Sequence, residues 1–323
     1  MCEDKPAAQV TREKNVSHPK KSPTASSQNS AEIAGIKLTH PDRVLYPNQG
    51  ITKLELAQYY EQVADWMLPH VEGRPLTLVR CPSGHKKQCF YQRHVTESLR
   101  DPIRSISVKE GRSTVAYVAV DSTPGLIALV QMGVLEIHTW GSRQDHLERP
   151  DRLTFDLDPD PALAWKLVKE AAQALRGRLS ELGLHSFVKT TGGKGLHVVV
   201  PILPRQGWDL VKTFARKVAE NFAESEPELY IATMSKAKRK GKIFIDYLRN
   251  ARTASAISAY STRARASAPV SVPVNWDELA TDVREDHFTI RNVPQRLARL
   301  RRDPWEGYEK LRASLRDSML KKL

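Results

Sequence analysis

The sequence predicts an α+β fold, with a central mixed or antiparallel sheet flanked by helices. Three observations carry this reading. In the middle of the chain, short apolar runs of strand type alternate with longer segments whose apolar residues recur at helical spacing. No internal repeat occurs at solenoid spacing. The composition, 40% hydrophobic and 27% charged, is ordinary for a globular protein, and 323 residues suffice for one large core or two modest ones.

Residues 1 to about 30 are rich in Lys, Ser, Pro, Gln and Asn and poor in large apolar side chains. Such a segment cannot offset the entropy of ordering, so residues 1–35 are expected to be a disordered tail or linker, and residues 36–323 the folded domain. Thr52-Lys53-Leu54-Glu55 has the form of a capping box and opens a helix that runs through Trp66. Strand-type runs follow at Leu76–Arg80, Thr114–Val120 and Leu135–Trp140, with an apolar helical segment around Leu126–Met132. Leu153–Leu157 reads as a strand. Leu163, Leu167, Ala171, Leu175, Leu179 and Leu182 then keep helical spacing, and strands follow at Ser186–Lys189 and Leu196–Val200. A second helix covers Asp209–Phe222, Ile243–Tyr247 is an apolar strand, and the basic part from Val293 onward is predicted helical.

The formal charge of +13 and a pI near 9.6 point to polyanionic partners. The basic residues are spread along the chain and not gathered on one amphipathic helix, which argues against a membrane surface. No apolar run has the length of a membrane span, and the polar, basic N-terminus lacks the apolar segment of a secretory signal. A cytoplasmic protein is expected. Three cysteines, Cys2, Cys81 and Cys89, give no disulfide framework, in keeping with a reducing compartment.

The sharpest local signal is Thr154-Phe155-Asp156-Leu157-Asp158-Pro159-Asp160. Strand alternation puts Asp156 and Asp158 on one face, where two carboxylates repel unless a cation lies between them; oxygen-only ligands suit Mg²⁺ or Mn²⁺. Asp160, past the proline, is a weaker candidate. An acidic strand-to-helix turn is the plainer alternative. Against it stands Asp246, in Ile243-Phe244-Ile245-Asp246-Tyr247: an acid on an apolar strand needs a partner. A shared metal pair would provide one, and two-metal sites position in-line displacement at phosphorus.

Lys189-Thr190-Thr191-Gly192-Gly193-Lys194-Gly195-Leu196-His197 is a glycine-rich loop between two strand patterns. Glycines let backbone N–H groups crowd an anion, Lys194 adds charge, and His197 can donate to phosphate. It is not a Walker loop, since Gly195 follows Lys194 and a strand follows the loop. A plain hairpin turn is the alternative. A basic stretch, Lys236 to Lys242, precedes the Asp246 strand, and Arg249, Arg252, Arg263 and Arg265 follow it; arginines beside an acidic site are what a triphosphate needs, although part of any such run is solvated surface. His138, alone on a strand, reads equally as a core histidine, and Phe90-Tyr91 as core aromatics or a stacking platform for bases. Cys81, His85, Cys89 and His94 are zinc-type ligands whose spacing fits none of the common finger patterns.

Taken together, Leu38-Thr39-His40-Pro41-Asp42-Arg43-Val44-Leu45-Tyr46-Pro47, the Glu136-Ile137-His138 strand, Asp156-Leu157-Asp158-Pro159, the Gly192 to His197 loop and Asp246-Tyr247 resemble the polymerase domain of bacterial DNA ligase D, in the archaeo-eukaryotic primase superfamily. The resemblance runs from about residue 36 to the C-terminus. It implies a primase-polymerase core in an end-joining enzyme that binds the 5′-phosphate of a broken DNA end, fills gaps and adds nucleotides. It further implies a preference for ribonucleotides and Mn²⁺, with two ions bound by Asp156, Asp158 and Asp246. His197, Arg249 and Arg263 then fall on the triphosphate, with Lys194 beside them, and His138 near the sugar. Thr191 stands where the family commonly has a serine contacting the nucleotide, and keeps the hydroxyl. Arg43 and Lys53 match the basic positions that take the DNA 5′-phosphate, with arginine where lysine is common. Phe90 and Tyr91 match an aromatic pair that stacks on template bases. Ku and a DNA ligase are partners implied by the family, and the bacterial nucleoid the implied place of work. No Lys-x-Asp-Gly adenylation motif occurs in this chain, so it does not itself carry ligase chemistry. Two other readings are a metal-dependent phosphohydrolase, since Asp-x-Asp after a strand also serves aspartyl attack on phosphorus, and a non-catalytic DNA-end-binding scaffold.

Overall fold

The computed structural model describes residues 10–12, 30–96, 101–281 and 283–323. Apart from Val10–Arg12 (β1) and Ser30 onward, the tail expected over residues 1–35 lies outside the described residues. Ordered structure starts ahead of residue 36: Ser30–Ile33 (β2) pairs antiparallel with Ile36–Thr39 (β3). The turn between them holds Ala34 and Gly35 at φ 48° and 76°, the positive-φ pair that a tight hairpin requires.

A short ladder of Val44–Tyr46 (β4) with Ile51–Thr52 (β5) leads into helix α1, Lys53–Val71. The capping box is formed in full: Glu55 N donates to Thr52 Oγ1 at 3.2 Å, and Thr52 N donates to Glu55 Oε2 at 2.8 Å. The helix outruns the predicted end at Trp66 because Met67 and Val71 continue its buried face.

Leu76–Arg80 (β6), Cys89–Gln92 (β7), the Arg104–Glu110 (β8) and Ser113–Ala119 (β9) hairpin, helix α2 (Thr123–Gln131) and Val134–Trp140 (β10) complete the first half. The second half holds Arg152–Pro159 (β11), α3 (Trp165–Glu181), Phe187–Thr190 (β12), Leu196–Pro201 (β13) and α4 (Trp208–Ser225). It closes with Tyr230–Ile231 (β14), Ile243–Asp246 (β15), Ser255–Ile257 (β16), Pro273–Val274 (β17), α5 (Trp276–Thr281), α6 (Val293–Arg299) and α7 (Asp317–Leu320). The β structure forms two larger sheets, β1-β7-β6-β10-β16 and β14-β15-β11-β13-β12-β17, each antiparallel except at one edge, where β1 and β14 pair parallel with their neighbours. One continuous apolar core joins α1, α2 and the first sheet to α3, α4 and the second. The α+β architecture is therefore as predicted, with its sheet divided in two.

Two expectations are corrected. The C-terminal part is helical only in α6 and α7: Pro304 has no N–H for a helix, Gly307 sits at φ +86°, and the Trp305 indole donates to Val188 O on β12 at 2.8 Å, tying the segment to the second sheet. Cys81 and Cys89, expected to be free, form a disulfide. Cys81 leaves β6 just as Cys89 enters its antiparallel neighbour β7, which brings their Cα atoms to 4.4 Å. That pairing uses both sulfurs of the zinc-type set, and His94 instead packs edge-on against Tyr117.

Candidate active site

Strand β11 sets the site by its period of two. Leu153, Phe155 and Leu157 are fully buried in the core, so Thr154, Asp156 and Asp158 take the opposite face. Pairing then supplies neighbours that sequence spacing does not reveal. Asp156 lies directly across from Asp246 on β15 and from His197 on β13, and His197 lies across from Lys189 on β12. Directly opposed residues share a face, so four titratable side chains form one row: Asp246, Asp156, His197, Lys189.

The row is held by charge. Arg249, on the turn after β15, donates to Asp156 Oδ2 from Nε (3.3 Å) and Nη2 (3.1 Å), and its Nε is 3.4 Å from Asp246 Oδ2. His197 Nε2 is 3.4 Å from Asp156 Oδ1. Burial alone would raise the Asp156 carboxyl, but His197 and Arg249 outweigh it and hold the group well below the usual carboxylate range. Asp246 is pushed up, by burial first and then by Asp156, against the pull of Arg249. His197 is pushed down to about 4 by burial and by Lys189, so it is neutral at pH 7. Burial also drives Lys189 well below its ordinary value; its Nζ donates to Ser271 Oγ at 2.7 Å.

Asp158 lies two residues further along the same face and lines the same cleft. Its side chain is half exposed and lies 3.4 Å from Arg239 Nη1, whose guanidinium also stacks 3.7 Å from the centroid of the Phe244 ring. Among the described residues no three acidic, histidine or cysteine side chains converge closely enough to hold a metal. The donor chemistry nonetheless suits a hard cation. Asp156 and Asp246 present only oxygens, they repel each other, and the place between them is bridged by the Arg249 cation.

The glycine loop turns β12 into β13 and packs tightly against β11. Thr191 N and Oγ1 both donate to Gly195 O, at 3.2 and 3.0 Å, and Arg263 Nη1 donates to Thr191 O at 2.6 Å. A Cβ on Gly195 would stand 2.5 Å from Leu157 O, on the strand that carries Asp156 and Asp158. Gly195→Ala is therefore expected to lift the loop off β11 and to lower stability by about 1–3 kcal/mol, read as a fall in Tm. Lys194, half exposed, donates to Pro161 O at 3.2 Å.

His138 comes from the other sheet. It is buried on β10, and its Nε2 is 2.9 Å from Oε2 of Glu136, two residues back on the same face. Glu136 also accepts from Ala264 N at 2.8 Å and pairs with Arg263 Nε at 3.3 Å. His138, Asp156, Asp158, Thr191, Lys194, His197, Asp246, Arg249 and Arg263 all line one cleft of about 530 Å³, together with Arg239, Lys240 and Arg265. Glu136 and Lys189 were not singled out from sequence, though a lone charge on an apolar strand marks both as plainly as it marks Asp246.

Arg43, Lys53, Phe90 and Tyr91 lie outside that cleft. Arg43 and Lys53 are neighbours in space: Lys53 N donates to Arg43 O at 2.8 Å, and Arg43 Nη1 donates to Pro82 O at 3.0 Å. Lys53 Nζ donates to Thr39 O and Gln131 Oε1, each at 3.0 Å, and burial, then Arg43, pushes its pKa down to about 8. Phe90 and Tyr91 are successive residues of β7 and so point to opposite faces: Tyr91 packs against the main core, while Phe90 carries the Arg80 guanidinium 5.1 Å from its ring centroid.

Residues 52–305 match the family described as LigD, primase-polymerase domain. Over its whole length the chain is 41% identical to the multifunctional non-homologous end joining protein LigD of Pseudomonas aeruginosa, of which it spans 39%. It is 33% identical over 81% of its length to the protein of the same name from Mycolicibacterium smegmatis, of which it spans 34%. Among solved structures it resembles the polymerase domain from Mycobacterium tuberculosis ligase D in complex with DNA, with a TM-score of 0.79 and 31% identity over 85% of this chain and 98% of that one. The described helices include none long and apolar enough to cross a membrane. The chain belongs to the LigD primase-polymerase domain family.

Proposed function

We propose that the chain is a DNA-dependent nucleotidyltransferase that fills gaps and adds nucleotides, ribonucleotides preferentially, at 5′-phosphorylated DNA ends in non-homologous end joining, in concert with Ku and a DNA ligase. The observation that carries this reading is the row Asp246, Asp156, His197 at the floor of a cleft whose walls hold Arg249 and Arg263. Acids that gather a cation, beside arginines that match phosphate oxygens, are the parts needed for phosphoryl transfer from a triphosphate.

Divalent ions, Mn²⁺ or Mg²⁺, held by Asp156, Asp158 and Asp246 would lower the pKa of the primer 3′-hydroxyl and neutralise the pyrophosphate leaving group. The protein's own groups do the rest. Arg249, now bridging Asp156 and Asp246, would turn its fork to the triphosphate where their charge is met elsewhere. Neutral His197 would donate a ring N–H to a phosphate oxygen without adding charge. Glu136 fixes the ring of His138, and through Arg263 it ties that ring to the glycine loop, so the sugar side and the phosphate side of the nucleotide are set by one carboxylate. Arg43 and Lys53 take the 5′-phosphate of the DNA end, and Phe90 offers its face to a template base.

The deciding experiment is extension of a gapped, 5′-phosphorylated duplex with each ribo- and deoxyribonucleoside triphosphate, with Mn²⁺ or Mg²⁺. Metal-dependent extension with pyrophosphate release, stronger with ribonucleotides, is expected. Orthophosphate release without extension would replace the reading with a phosphohydrolase, and metal-independent end binding without extension would replace it with a scaffold. DNA binding should weaken at least tenfold between about 50 and about 200 mM salt; a flat response removes the Lys and Arg contacts from the account.

A further inference from the structure

Arg152, Thr154, Asp156 and Asp158 share one face of β11, with the cleft at the Asp158 end. At the Arg152 end lies a second cavity, of about 220 Å³, closed on its far side by the C-terminal segment with Trp305 and Tyr308. A water-sized void of about 10 Å³, lined by His70, Arg152, Thr154, Lys189 and His197, lies between the two.

Arg74, Arg143 and Arg152 line the second cavity, with Asp303, Glu306 and Glu309 exposed at its rim. Asp151, buried beside the cavity but outside its lining, is approached by three arginines, Arg74 in a fork of two 2.7 Å bonds, Arg143 at 3.4 Å and Arg312 at 4.0 Å, the last two also paired with Glu309. Arg152 adds a fourth guanidinium with no carboxylate within 4 Å among the described residues; only its Nη2 is bonded, to Thr139 Oγ1 at 2.6 Å and Trp140 O at 2.8 Å. Burial, then Arg74, pushes Arg152 down to about 10. Two further donors on lining residues are buried and unpartnered: Arg74 Nε and the hydroxyl of Tyr308, a side chain only 8% exposed. Acids at the rim, Glu309 foremost, are open to water and offset little of this. Donors and cations buried without acceptors are costly unless an anion completes them.

We propose that this cavity binds a phosphate-type oxyanion, held by Arg152, Arg74 and Tyr308. The site is distinct from the triphosphate cleft, and the proposal stands whether or not the chain is a polymerase. The oxyanion is either free phosphate or pyrophosphate, or the phosphate of a nucleotide.

Calorimetric titration of the full chain in EDTA with inorganic phosphate, pyrophosphate and a nucleoside monophosphate tests it, repeated on Arg152→Gln, Tyr308→Phe and the cleft variant Arg249→Gln. Saturable binding is expected, weakened about tenfold by Arg152→Gln and severalfold by Tyr308→Phe. Tighter binding of the monophosphate than of the inorganic ions assigns the site to a nucleotide, and the reverse order to the free ion. Should Arg152→Gln fail to fold, Tyr308→Phe decides, since it removes a single unbonded oxygen. No saturable binding, or loss of binding in Arg249→Gln with none in Tyr308→Phe, overturns the proposal.

Discussion

An Asp156→Ala variant is expected to lose nucleotidyl transfer by roughly a thousandfold or more, about 4 kcal/mol of transition-state stabilisation, while still folding, at a lower Tm, and still binding DNA ends. The size of the effect follows from position. Asp156 is the only member of the row that touches both an acid and a histidine, being opposite Asp246 on one side and His197 on the other, and it takes the shorter contacts of Arg249. Removing it takes away the carboxylate around which Arg249 and His197 are arranged, and on which the proposed cation would depend. Stability should fall too, because His197 and Arg249 hold the Asp156 carboxyl well below the usual range and its charge is therefore net stabilising; the loss is limited because Asp246, which Asp156 raises, then ionises more readily and keeps Arg249 at 3.4 Å. DNA-end binding should persist because Arg43 and Lys53, the proposed contacts to the 5′-phosphate, lie outside the cleft. Single-turnover extension, end-binding affinity and Tm measured together check all three statements. Transfer within tenfold of the parent, with the protein folded, would remove Asp156 from the chemistry.

What could be read from sequence was whatever local periodicity encodes. Leu76–Arg80 forms the strand predicted for it to the residue, and alternation along Leu153 to Leu157 placed Asp156 and Asp158 on one face in advance. The cross-strand register could not be read that way. Asp156 meets Asp246 and His197 because three strands far apart in sequence settle side by side, and sheet order is set by burial of whole faces rather than by any short pattern. The same limit explains Glu136. The Glu136-Ile137-His138 run was noticed, but the use of the glutamate emerges only when Arg263 and the Ala264 N–H arrive from a distant loop. The Cys81–Cys89 bridge depends on β6 and β7 being neighbours, and the non-helical C-terminal segment on a Trp305 contact with β12, both tertiary facts. Phe90 and Tyr91 read as a pair in sequence, whereas a strand divides any adjacent pair between its faces.

Replacing Glu136 with alanine is expected to cost about 3–5 kcal/mol of folding stability and to disable the site with it. Glu136 is 4% exposed and joins His138, Arg263 and the Ala264 N–H, so its removal takes the carboxylate from a buried arginine and a buried histidine at once. Burial alone would raise its pKa; Arg263 and His138 outweigh burial and hold it well below the usual range. A carboxyl depressed in the folded state contributes stability that is full above its unfolded pKa of about 4.3 and is lost as pH falls below that value. Partly buried His70 acts in a higher window. Burial, then Arg152, pushes it down to about 3, so the unfolded chain takes up a proton below about pH 6.5 that the folded chain refuses until about pH 3. Urea midpoints of the parent should therefore decline in two stages, gently from about pH 6.5 and more steeply below about pH 4.3. In Glu136→Gln, which keeps the shape and a hydrogen-bond acceptor, the second stage should become shallower, with Asp156 and Asp151 keeping the rest of it, while the first remains. An unchanged acid limb in that variant would show that Glu136 is not the group whose protonation opens the fold.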